Sequence, residues 1–151
     1  MAITQAMATS FKVQILDGIH NFGTGVVRGT TAADTFKIAL YTSSATLDAT
    51  TTAYTATNEV SSSGTGYTTG GNTLTISVVP TYSGTTAYLS FSNTSWTTAS
   101  FTARGAMIYN SSQSNAAVAI LDFGADKTCT SGTFTIVFPT AGAGTAIIQI
   151  A

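Results

Sequence analysis

The chain has 151 residues, 44% of them hydrophobic and 7% charged, with a formal net charge of −1. That length suits one domain with a core of its own, and a charged fraction far below the about 25% of an average soluble domain leaves Thr, Ser, Asn and Gly to cover the surface. Lys12, Arg28, Lys37, Arg104 and Lys127 stand singly along the chain, which argues against a basic nucleic-acid stripe, while one cysteine and one histidine exclude an internal disulfide and a two-histidine metal site within one chain.

Residues Ser10 to Asp17 predict one short helix: Thr9 and Ser10 suit its cap, Phe11 and Ile15 lie four apart, and Gly18 is the stop. With Met7 before and Ile19 after, the apolar series runs at helical spacing. Residues 1–22 therefore read as an N-terminal arm and helix. The simpler role is to cover the core; the functional alternative is an arm docking on a neighbouring subunit through Met7, Phe11 and Ile15.

After Gly23-Thr24-Gly25 the hydrophobic period changes from helical to alternating. Asp34 to Tyr41 sets Phe36, Ile38 and Leu40 on one face of a strand. Asn72 to Val78 alternates Leu74, Ile76 and Val78 with hydroxyl residues, and Pro80 is expected to end it. Further strands are predicted near Ala87–Phe91, Phe101–Tyr109, Ala117–Phe123, Thr133–Phe138 and Ala146–Ile150. Turn signals separate them at Ser83-Gly84, Asn93-Thr94-Ser95, Asn110-Ser111-Ser112, Ser131-Gly132 and Gly142-Ala143-Gly144. Short alternating strands with this punctuation predict a mainly β chain, an antiparallel β-sandwich or jelly-roll-like domain spanning 1–151. The long span Thr42 to Gly71, with apolar islands at Tyr54 and Val60, reads as loop with a short helix or strand and as the best contact surface.

The chemistry expected of an enzyme is sparse. A Ser-His-Asp triad would have to use His20 with Asp17, Asp34, Asp122 or Asp126, and no nucleophile-elbow motif accompanies it. Asp122-Phe-Gly-Ala-Asp126 lacks the alternating oxygen ligands of a calcium loop and reads as a polar turn. Gly64 to Gly71 lacks the lysine of a phosphate loop and reads as a flexible loop that Tyr67 pins to the body. Trp96, Tyr82 and Tyr88 are either core aromatics or a sugar-stacking platform. The expectation is a binding protein without cofactor or metal. A net charge near zero gives little self-repulsion, so the surface is expected to be packed against a partner. There is no basic, apolar secretory signal at the start and no run approaching the about 20 apolar residues of a membrane span.

The opening Ala2 to Lys12, together with Asp34 to Leu47, Asn58-Glu59-Val60, Gly66-Tyr67, Gly70-Gly71, Ala103 to Ala106, Leu121 to Gly124 and Phe134 to Ile136, resembles a group of small β-rich structural proteins of tailed bacteriophages. The blocks keep their order over nearly the whole chain; Gly23 to Gly29 departs from the group as an insertion. The resemblance implies a virion component, assembled in the host cytoplasm, and transfers no catalytic motif. Among virion roles, a small neutral β domain fits a capsid decoration (cement) protein, a homo-oligomer that binds and stabilises the lattice of the major capsid protein. The alternative is a tail or tail-fibre component contacting the host surface. Met7, Phe11, Ile15, Tyr54, Tyr67 and Trp96 are the candidate protein contacts, with no nucleic acid and no membrane as partners.

Overall fold

The computed structural model describes residues 2–16, 18–23 and 33–151. Over these residues the fold is mainly β, with two antiparallel sheets and one short helix, consistent with a sandwich. In chain order the elements are β1 (Ala6–Met7), α1 (Thr9–Leu16), β2 (Phe36–Tyr41), β3 (Asn72–Thr73), β4 (Ile76–Ser83), β5 (Thr86–Phe91), β6 (Thr94–Asn110), β7 (Ala116–Ile136) and β8 (Ile148–Ile150). The larger sheet runs β1-β7-β6-β2-β3 and the smaller β4-β5-β8.

β2 is buried along almost its whole length, because both of its faces are covered. On one face Phe36 stacks on Phe22 at 4.1 Å between ring centroids and meets Phe91 of β5 at 6.1 Å, which joins the two sheets through aromatic area. The other face carries Ala39 and Tyr41, also fully buried. The alternation therefore located the strand but understated its burial: Thr42 to Gly71 covers the second face.

The N-terminal residues are woven into the same body. Ile3 bridges Leu47, β1 pairs with β7 at Ala119 and Ile120, and Ala8 and Phe11 are fully buried. Phe11 meets His20 edge-on at 4.7 Å. The helix runs Thr9–Leu16, one residue ahead of the expected span, whose last residue, Asp17, lies outside the described residues. In this chain the segment serves as a strap over its own sheet.

Three expectations are corrected. Pro80 lies inside β4, which is tolerated because β4 is an edge strand with register shifts on either side of Val78. Thr94 and Ser95 belong to β6, so the break after β5 narrows to Ser92-Asn93, and Ser131-Gly132 lies within β7, which forms with β6 one long hairpin closed by the turn at 111–115. Polar punctuation was absorbed by bulges in place of turns. Around Asp122–Asp126, four residues of β7 (123–126) stand opposite Arg104 alone. Gly124 has φ +75, and Asp122 accepts its N–H at 2.9 Å, so turn geometry is built into the strand. Gly23–Gly29 falls, apart from Gly23, outside the described residues.

Candidate functional site

The most connected polar group lies where the long 42–71 segment meets the larger sheet. The Glu59 carboxylate accepts hydrogen bonds from Tyr54 Oη (2.7 Å) on one oxygen, and from Tyr67 Oη (2.6 Å) and the Gly70 N–H (2.7 Å) on the other. Tyr67 Oη in turn accepts the Leu40 N–H at 2.9 Å, and the Val60 N–H bonds the Leu40 carbonyl. The segment thus takes the place of a neighbouring strand along β2. Tyr109 Oη donates to the Gly70 carbonyl at 2.7 Å, Tyr41 Oη donates to the Thr55 carbonyl at 2.7 Å, and Tyr54 stacks on Tyr109 at 4.7 Å.

Burial is the first cause that raises the pKa of these phenols: Tyr109 is pushed up to about 12 and Tyr41 is raised, with the Glu59 charge as the second cause, while for Tyr54 and Tyr67 the second cause is the hydrogen bond to Glu59, which favours their protonated form. Each stays a donor at neutral pH, so the network is a static clamp. Gly71 sets its corner, since its φ is +70 and a Cβ there would stand 1.8 Å from the Ile38 carbonyl oxygen.

A second polar group centres on Asn110, which is fully buried. Its Oδ1 accepts the Ser112 N–H, so its amide hydrogens are left for Asp34 Oδ2 at 2.7 Å and His20 Nδ1 at 3.1 Å. His20 Nδ1 must then accept, and its Nε2–H donates to Gln14 Oε1 at 2.8 Å. Burial lowers the His20 pKa, and the Asp34 charge partly offsets this. Both ring nitrogens are engaged by amides, and no serine hydroxyl bonds either of them, so the triad geometry is not assembled around this histidine. Among the described residues no cluster of three or more His, Cys, Asp or Glu is placed to hold a metal, and no helix is long and apolar enough to cross a membrane.

Large exposed hydrophobics stand at Val79 and Tyr82 on β4, at Ile150 on β8 and at Val137 just past β7. A groove of about 480 Å³ is walled by Leu121, Phe123, Phe134, Ile136, Phe138 and Ile147, with Lys127 also in its lining and Val137 71% exposed. The β7 bulges bend the strand so that Phe123 and Phe134 approach to 6.3 Å between centroids. A smaller hollow of about 170 Å³ lies between α1 and the smaller sheet, where Phe11, Ile15, His20, Pro80, Leu89 and Ile148 meet. No protein-family model, curated protein or solved structure matches this chain.

The six residues singled out from sequence divide by burial. Phe11 is fully buried, Tyr67 is 3% exposed and Trp96 4%; they build the interior and offer no face to a partner. Trp96 has Tyr67, Phe101 and Phe134 as ring neighbours, so it is a core aromatic, while Tyr82 stands 77% exposed on β4. Met7, Ile15 and Tyr54 are partly exposed and pack against the core. Sequence reasoning missed the groove because Leu121, Phe123 and Phe134 come together only through bulges. The one visible signal was the apolar run Ile136-Val137-Phe138, which does not alternate and left a large residue outside.

Proposed function

We propose that this chain is a structural protein of a tailed-phage virion, a decoration subunit that binds and stabilises the major capsid lattice as a homo-oligomer. The observation that carries the reading is the exposed apolar groove on a chain with net charge −1 and 7% charged residues. Such a surface is poorly protected against association and is most favourable when covered. The resemblance to phage structural proteins supports it from the sequence. Several of its blocks, Asn58 to Val60, Gly66-Tyr67 and Gly70-Gly71, converge on the Glu59 clamp, so the shared residues are those that hold a rigid body together. A rigid subunit repeated on a lattice needs only weak contacts, since simultaneous attachment multiplies them.

The polar groups favour binding over turnover. Glu59 and His20 have their hydrogen-bonding atoms engaged within the fold, and the groove offers apolar area with one cation. Cryo-electron microscopy of purified virions tests the proposal. Density for this chain repeated over the icosahedral shell between major capsid subunits is the expected result; density confined to the tail would replace decoration with a tail or fibre role, and its absence from the particle would overturn the virion reading.

A further inference from the structure

Among the described residues, β7 past Ile120 has a strand neighbour on one side only. β1 pairs with it at Ala119 and Ile120, and β6 runs along the opposite side. Among the described residues, no other strand or loop backbone bonds residues 121–136 on the open side. Register shifts break this edge at 123–126, near 130–131 and between Gly132 and Phe134, leaving Phe134 to Ile136 as its regular part, in register with Trp96, Ser95 and Thr94. Phe134, Thr135 and Ile136 also form one wall of the apolar groove. Lys127 is the only charged side chain in that lining, and no ion pair engages it among the described residues.

Three unmet needs therefore share one place: unpaired main-chain donors and acceptors, an apolar trough, and a cation. A fatty acid would satisfy the trough and the cation but leave the backbone edge bare. An extended peptide satisfies all three, through strand addition. We infer that the groove receives an extended segment of a neighbouring virion subunit, apolar at alternate positions and carrying a carboxylate opposite Lys127, which adds a strand along Phe134–Ile136. The inference rests on the virion reading for the source of that segment; the chemistry of the groove is tested separately.

The probe is an acetylated, amidated peptide of sequence Glu-Val-Thr-Val-Thr-Val, titrated into isotope-labelled full-length protein with amide shifts as the readout. Decanoate and the same peptide N-methylated at alternate residues are run in parallel. Shifts confined to 121–137 are expected, with affinity on the order of millimolar. N-methylation should abolish them and Lys127→Glu should weaken binding by about fivefold. Val137→Asp, at a 71% exposed position that the fold does not need, should abolish binding and leave the remaining spectrum unchanged. Equal binding of decanoate or of the N-methylated peptide would overturn the inference, as would no shift in 121–137 at several times about 1 mM peptide. Finding the chain on the capsid lattice while the peptide fails would defeat the groove assignment alone, and finding it absent from virions while the peptide binds would defeat the virion reading alone.

Discussion

Replacing Glu59 with Ala should loosen the whole 42–71 segment. Three donors end at that carboxylate, at 2.6 to 2.7 Å, and a hydrogen bond to a charged acceptor contributes about 1.5–3 kcal/mol. Tyr54 is partly exposed, so water replaces its lost partner. Tyr67 Oη and the Gly70 N–H lie deeper, and these two bonds taken at the low end give about 3 kcal/mol. For a chain of this size that corresponds to a fall in Tm of about 6–12 °C. Glu59→Gln keeps the shape and one acceptor oxygen, and the Tyr54 hydroxyl turns to accept from the new amide, so it should cost about 1 kcal/mol. The assay is urea denaturation followed by the fluorescence of Trp96, whose ring lies 5.9 Å from that of Tyr67. A double-mutant cycle with Tyr67→Phe should show coupling of about 1 kcal/mol or more. If Glu59→Ala stays within about 0.5 kcal/mol of the parent, the magnitude of an ordinary surface substitution, the clamp does not hold the segment and the reasoning fails.

Gly71→Ala combines a φ of +70 with a 1.8 Å approach to the Ile38 carbonyl, so it should cost about 3 kcal/mol or more and sharply reduce the soluble fraction; a normal melting curve would refute it. The His20 pKa lies below its ordinary value of 6.5 in the folded chain, so below that pH the unfolded state binds more protons and stability falls as pH drops through 6.5 and on through the folded value. The urea midpoint should decline between about pH 7.5 and 5, and His20→Gln should flatten that slope. Deleting residues 1–10 removes the Ile3 bridge, β1 and the first two residues of α1 and should lower Tm markedly. An unchanged Tm with lost virion attachment would restore the free-arm reading.

Fold class was legible because period-2 alternation reports a half-buried surface directly: Phe36, Ile38 and Leu40 mark β2, and Leu89 and Phe91 mark the buried end of β5. What resisted reading was whatever depends on the partner opposite. Ser131-Gly132 and Asp122–Asp126 have turn composition, yet β6 supplies a continuous partner, and the extra residues become bulges. Tyr54 was visible as an apolar point of the long loop and Tyr67 as the residue that pins it to the body, but the group that joins them was not. The carboxylate that organises them is Glu59, the only glutamate in the chain, and nothing local shows that residues five and eight positions away converge on it. The site was less legible still, since the groove is shaped by the bend of one strand.

The sheet edges explain why one stretch stands out on so uncharged a chain. An edge strand invites pairing unless charge, proline, bulges, shortness or a covering segment blunts it, and with 7% charged residues this chain relies on the last four. The 42–71 segment covers β2 beyond the two residues of β3, Pro80 and register shifts interrupt β4, β8 is three residues long, and β1 caps the start of β7. On the solvent side of the β6–β7 ribbon one ion pair, Arg104 with Asp122 at 3.1 Å, is joined by hydroxyl pairs, Ser95 with Thr135 and Thr102 with Thr128, both at 2.8 Å. The hydroxyl pairs stabilise the ribbon without adding charge that would repel a second strand. Phe134–Ile136 has no covering segment along its open side among the described residues, and it also lines the apolar groove. An edge left open beside an apolar trough, on a chain that blunts its others, is best accounted for by a strand that arrives from outside.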